Sequence, residues 1–233
     1  MMMVRITKRR LFQCMLPVFL LCGLYGAYTV MSGNPLAGKV ILIDAGHGGI
    51  DPGGNRPGIQ EKDVNLAVAL KLKEVLNNYG AKVVLTRAAD QDLSSECNNE
   101  KIIGRYRRDL AARLEMAEES DTDLFISIHA NTNSNARRRG AETFYDRKSD
   151  RGKALASAIQ TELSKVTPAA AQAAPANYFL LRRNKIPATL LEIGYITNPE
   201  DKRLLQSAEH QQKLAEAIAR GISNYYQGLL LPQ

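Results

Sequence analysis

From residue 39 onward, short apolar runs rich in β-branched residues alternate with longer amphipathic segments, and this alternation restricts the chain to an α/β fold. The run KVILID has four apolar residues in succession and suits a strand covered on both faces. A glycine-rich loop follows. From Glu61, EKDVNLAVALKLKEVLNNYG puts Val64, Leu66, Ala67, Leu70, Leu72, Val75 and Leu76 on a broad apolar face and stops at Gly80, which reads as a helix. AKVVLTR, DLFISIH, AETFYDR and IPATLLEIGYIT read as further strands. Residues 105–119 and 150–165 read as helices, and a last helix from Ala208 carries Leu214, Ala217, Ile218 and Ile222 on one face. The stretch PAAAQAAPA at residues 168–176 reads as a mobile loop of small residues bounded by prolines. The expected architecture is a single α/β domain with a mostly parallel twisted sheet of about six strands, helices on both faces and no internal repeat.

A different signal precedes the domain. Residues 11–31, LFQCMLPVFLLCGLYGAYTVM, carry no charge and follow KRR, and are as long as the ~20 residues a bilayer-spanning helix needs. The basic flank predicts a cytoplasmic N-terminus. A cleaved signal peptide is the rival reading, but no small-x-small site follows and the apolar run exceeds the ~7–15 residues of a signal core. The expectation is therefore a membrane anchor or uncleaved signal with its linker over residues 1–38, and a catalytic domain over residues 39–233 on the outer side of the cytoplasmic membrane.

Charge and cysteines narrow the function classes. The net charge is +7, but Arg5, Lys8, Arg9 and Arg10 lie ahead of the domain and leave only a mild excess within it. The tight cluster Arg137, Arg138 and Arg139 sits among polar loop residues without interleaved aromatics, so no nucleic-acid partner is expected. Cys14 and Cys22 lie in the apolar stretch. Cys97 stands alone in the domain, which excludes an internal disulfide and a cysteine metal site, and it has no histidine nearby to make it a nucleophile. Gly-x-Ser-x-Gly is absent, and the glycine-rich loop lacks both the Gly-Lys-Ser/Thr and GxGxxG phosphate patterns.

In an open α/β sheet the crevice lies beyond the carboxyl ends of the strands, so polar residues directly after apolar runs are the candidates. His47 follows KVILIDAG, His129 follows LFISI, and Glu192 ends ATLLE; the loop of residues 48–60 can fold Glu61 back to the same edge. Two imidazoles and one carboxylate are a zinc ligand set that leaves a fourth position for water, and a second carboxylate can then move the proton. Taken singly, His47 has a lesser reading as a loop histidine and His129 as a hydrogen-bonded structural one, while Glu61 alone is ordinary first-turn helix electrostatics. Glu192 resists such a reading, because a carboxylate inside LLEIGYI is nearly buried. Asn131, just after His129, and Arg87, at the end of the second strand, are candidate substrate contacts, Arg87 equally a partner for a neighbouring helix. Asp44 and Asp51 read as turn or cap residues before imidazole-orienting ones. His210, among Glu209, Gln211 and Gln212, reads as exposed, and residues 94–104 as a segment able to cover the site.

IDAGHGG with His47, EKDVNL with Glu61, SIHAN with His129 and LLEIGYITN with Glu192, in this order over residues 39–228, resemble the zinc-dependent N-acetylmuramoyl-L-alanine amidases of the type-3 family. The resemblance implies that His47, Glu61 and His129 hold one zinc ion and that Glu192 is the catalytic acid/base. It also implies a peptidoglycan substrate, cut between N-acetylmuramic acid and L-alanine. The short form and the segment IIGRYRRDLAARLEMAEESDTDLFISIHAN look like the germination-specific, spore-cortex branch, which prepares muramic lactam. With no separate wall-binding module, the anchor or an accessory or activator protein is the expected means of localisation, at the forespore envelope. The competing readings are a silent wall-binding or activator protein of the same fold and a zinc peptidase acting on wall peptides.

Overall fold

A computed structural model describes residues 34–168 and 172–230. The apolar stretch of residues 11–31 lies outside the described residues; among those described, no helix is long and apolar enough to cross a membrane. In chain order the elements are β1 (Val40–Ala45), β2 (Asn55–Arg56), β3 (Ile59–Gln60), α1 (Glu61–Asn78), β4 (Lys82–Leu85), α2 (Arg105–Glu119) and β5 (Leu124–Asn131). They continue with β6 (Glu142–Tyr145), α3 (Asp150–Leu163), β7 (Ala174–Pro175), α4 (Phe179–Arg183), β8 (Ala188–Tyr195), α5 (Pro199–Leu205) and α6 (Ala208–Leu230). Six strands form one sheet in the order β4-β1-β5-β8-β6-β7, while β2 and β3 make a separate hairpin. All neighbours in the large sheet run parallel except β6 against β8. The mostly parallel sheet expected from the alternation of strands and helices is therefore present.

Strand alternation assigns the two faces. Ile41, Ile43, Ile126, Ile128, Leu191 and Ile193 point to the side covered by α1, α3 and α6. Leu42, Phe125 and Leu190 point to the other, where Ala117 of α2 and Leu180 and Leu181 of α4 meet them. On that second face the sequence changes character toward the strand ends: Asp44, Ser127, His129 and Glu192 continue the series that Leu42, Phe125 and Leu190 begin. The carboxyl edge of this face is thus polar by pattern, and α2 and α4 roof it with their ends. On the opposite face α3 and α6 cross so closely that a Cβ at Gly221 would lie 2.5 Å from the Ile159 Cα.

Several local expectations are corrected. The buried face of α1 is shifted from the expected one: Val64, Leu72 and Leu76 are inside with Val68 and Ala69, Leu66 and Val75 pack against the core from its margin, and Leu70 is exposed. Part of the loop expected at residues 168–176 is ordered as β7, whose Ala174 and Pro175 pair with Phe144 and Tyr145. His210 is buried: α5 packs against the start of α6, where Gln211 Nε2 donates to the Leu205 carbonyl. Residues 94–104 lie along α2, where Cys97 packs with Leu93, Ala111 and Ala112 and Arg108 donates to the Cys97 carbonyl at 2.7 Å, so they stay clear of the histidines.

Candidate active site

The loop after β1 carries His47 in the left-handed region, φ +62°, a conformation unfavourable for a residue with a Cβ that tertiary contacts must sustain. Two buried arginines provide them. Arg113 of α2 donates to the Ala45 carbonyl at 3.1 Å and to the His47 carbonyl at 3.0 Å. Arg87 donates to the Ala45 carbonyl at 2.9 Å, the Gly46 carbonyl at 3.1 Å and the Lys62 carbonyl at 2.7 Å. This corrects the candidate substrate role of Arg87, which is 2% exposed and has its guanidinium committed to backbone oxygens. Asp44 is no turn residue either: fully buried, it accepts from Ser127 Oγ at 2.6 Å, from Thr86 Oγ1 at 2.9 Å and from Arg113. Arg113 is completed by Asp109, one turn earlier on α2, at 2.8 Å.

Asp51 Oδ2 lies 2.9 Å from His47 Nδ1, so the imidazole-orienting reading, placed second in the sequence, is the geometry found. That contact turns Nε2 of His47 toward Glu61, whose Oε1 is 3.2 Å away. The same oxygen is 2.9 Å from His129 Nδ1. Glu61 is fixed by backbone donors, Gly54 N–H to Oε2 at 2.7 Å and Ala130 N–H to Oε1 at 3.1 Å, so the carboxylate is anchored independently of the histidines. Glycine is required here: a Cβ on Gly46 would lie 2.3 Å from the His129 ring, and one on Gly53 2.5 Å from Glu61 Oε2.

One donor atom from each of His47, Glu61 and His129 falls within 4.8 Å of the others. Two imidazole nitrogens and a carboxylate oxygen, prealigned by Asp51, Gly54 and Ala130, fit the donor set of a single zinc ion. The electrostatics agree. Burial disfavours a charged His47, but its hydrogen bonds and attraction to Glu61 and Asp51 outweigh this and lift its pKa to about 9. Burial works to raise Glu61 as well, yet the two imidazoles hold its carboxyl well below the usual carboxylate range. The cluster thus favours positive charge at its centre.

Glu192 stands beside His129 on the adjacent strand, the two being paired in register across β5 and β8. Its Oε2 is buried without a hydrogen-bond partner. Burial pushes its pKa up to about 7; the nearby His129 and His47 pull it down, while Glu61 and Glu142 push it up. It faces a cavity of about 270 Å³ that is also lined by His47, Glu61, His129, Asn131 and Tyr106. A carboxyl group poised near neutrality can accept and return a proton within this space. The cavity also takes Leu110, Tyr178 and Phe179, which the sequence reading did not single out; the aromatic pair Tyr178–Phe179 after the proline-bounded loop was the signal available.

A set of two imidazoles and one carboxylate, next to a buried carboxyl of raised pKa, is the arrangement that hydrolases activating water at a metal centre require. The comparisons then give the family. The model described as N-acetylmuramoyl-L-alanine amidase matches residues 41–224. The chain belongs to this type-3 family and is an N-acetylmuramoyl-L-alanine amidase by that membership. It is 34% identical over 194 residues to the germination-specific N-acetylmuramoyl-L-alanine amidase of Bacillus subtilis (strain 168), covering 82% of this chain and 81% of that protein. Among solved structures, the CwlD amidase from Clostridioides difficile, in complex with the GerS lipoprotein, superposes with a TM-score of 0.76 and 38% identity over 82% of this chain and 99% of that one. The catalytic domain of CwlV from Bacillus (Paenibacillus) polymyxa var. colistinus gives 0.70 and 31% over 81% and 98%. The B. subtilis amidase and CwlD bear out the germination-type resemblance, and CwlV the family.

Proposed function

We propose that His47, Glu61 and His129 hold one zinc ion and that Glu192 moves the proton when the amide between N-acetylmuramic acid and L-alanine is hydrolysed. The observation that carries this reading is the convergence of the three donors within 4.8 Å, beside the one buried carboxyl oxygen of the cavity that lacks a partner. When bound, the ion supplies Lewis acidity for the amide carbonyl and lowers the pKa of water. Glu192 takes the proton released by the attacking water and returns it to the departing nitrogen, so that the amine leaves uncharged. Asp51 keeps the His47 ring turned, and Asn131, on the cavity wall, contacts the substrate.

The proposal includes a tether through residues 11–31, action on the outer side of the membrane and a part in spore-cortex maturation, in keeping with the germination-specific relative. An accessory protein belongs to it too, since the CwlD structure is a complex with a lipoprotein.

The test is a muropeptide digest analysed by mass spectrometry beside metal analysis of two variants. Intact stem peptides should be released from glycan. Glu61→Ala should lose zinc, while Glu192→Ala should keep it and lose roughly 10²–10⁴ in rate. Cuts within the peptide would replace the amidase reading by a peptidase, and undiminished zinc in Glu61→Ala would remove Glu61 from the ligand set.

A further inference from the structure

Next to the catalytic cavity lies a second, larger one of about 620 Å³, lined by Lys101, Ile102, Ile103, Tyr106, Arg107, Leu110 and Phe179. The two adjoin at Tyr106, Leu110 and Phe179, which line both. Its walls are unusually bare: Ile103 is 82% exposed, Tyr106 59% and Phe179 38%. Large apolar side chains gathered this way in a concave wall mark a binding surface, whereas scattered ones need no explanation. Lys101 and Arg107 add two cations, no carboxylate lines the cavity, and neither cation has a carboxylate partner among the described residues.

We infer that this arm receives the peptide side of the substrate, a short peptide of small side chains carrying carboxylate groups. The inference rests on the amidase reading above. Two features select the peptide over the glycan. The first is direction: α2 and α4 roof the face of the sheet from which Glu192 projects, and Glu192 serves the departing nitrogen, which belongs to the peptide. The second is chemistry. A neutral, hydroxyl-rich glycan needs hydrogen-bonding groups along its length, and this arm offers apolar surface and two cations, which complement methyl groups and carboxylates. Ile103 and Arg107 line the arm and not the catalytic cavity, so they set preference for peptide length without touching the reacting atoms.

The test compares the zinc-loaded protein with its Ile103→Glu and Arg107→Ala variants on three soluble substrates. These are N-acetylmuramic acid bearing L-alanine alone, the same sugar bearing a tetrapeptide, and a tetrasaccharide bearing L-alanine alone. Both side chains are exposed, so the variants fold, and their zinc content checks that the metal site is intact. The wild type should prefer the tetrapeptide substrate. Each variant should raise KM for that substrate by about tenfold, the scale of one lost buried apolar or charged contact, with kcat and both single-alanine substrates changed by less than about twofold. Equal losses on all three substrates, or losses that follow glycan length, would overturn the peptide assignment. So would a wild type indifferent to peptide length whose variants fail only when a partner protein is added, since the arm would then be a protein-docking surface. A wild type that cuts none of the three overturns the amidase reading itself, a distinct result that removes the inference with it.

Discussion

Glu192 is the residue at which the fold's chemistry can be read through stability. Its ordinary pKa of 4.5 is raised to about 7, chiefly by burial. The sign follows from linkage: the folded state binds an extra proton between these values, so the stabilisation is complete below pH 4.5 and is lost as pH rises through 7. The displacement corresponds to about 3 kcal/mol. In metal-free protein, Glu192→Gln mimics the protonated side chain at every pH. Denaturant titrations should therefore find the variant equal to wild type at pH 4 and more stable by up to about 3 kcal/mol at pH 8. Superimposable curves at pH 8 would mean that the carboxyl is not held protonated by its surroundings. The same competition underlies catalysis, since a carboxyl that ionises near neutrality gives the rate an ascending limb there.

Among the elements, α2 links the sheet to the catalytic loop. Arg113 grips Asp44 of β1 and the carbonyls of Ala45 and His47, and Asp109, four residues earlier on the same face, braces its guanidinium. Arg113→Met would leave the fully buried Asp44 charged in the core with only the Ser127 and Thr86 hydroxyls as donors. Breaking a buried pair from one side costs about 3–5 kcal/mol, and removing the charge on both sides recovers much of that. Urea unfolding should find Arg113→Met less stable by about this amount and the Asp44→Asn/Arg113→Met double variant intermediate; a single variant within 1 kcal/mol of wild type would dismiss the clamp. The sequence was legible where periodicity is long. The hydrophobic patterns of α1, α2, α3 and α6 and the β-branched runs of β1, β5 and β8 suffice to place them. It was silent on the β2–β3 hairpin, β7, α4 and α5, because elements of two to seven residues carry no period and exist through tertiary contacts. The reversal of β6 is equally invisible, since a four-residue strand has no direction in its pattern. Strand ends betrayed His47, His129 and Glu192, but no pattern tells a buried arginine that holds carbonyls from an exposed one that awaits a ligand. For that reason the sequence leaves Arg87 between a substrate and a neighbouring helix, of which the helix, at the Lys62 carbonyl, is the partner found, and nothing in it marks Arg113.

At the scale of the whole molecule, the three proposed ligands come from three places: the loop after β1, the first turn of α1 and the end of β5. A cation held by them ties the central strands to the helix that covers their far face, and an ion that binds only the folded chain stabilises it by mass action. At a hundred times its dissociation constant this amounts to about 2.7 kcal/mol. In a domain of this size each kcal/mol moves Tm by about 2–4 °C, so saturating zinc should raise Tm by about 5–10 °C over chelated protein. Protons compete for the same site. With His47 raised to about 9, its Nε2 is largely protonated at neutral pH in the metal-free chain, and the ion must displace that proton. Affinity should therefore fall by about tenfold for each pH unit below 9, and at fixed zinc the gain in Tm should be clearly smaller at pH 6 than at pH 8. Differential scanning calorimetry at the two pH values, with and without chelator, measures both effects. Glu61→Ala should lose the gain at either pH; a gain that survives this change, or one independent of pH, would show that zinc stabilises the protein from somewhere other than this cluster.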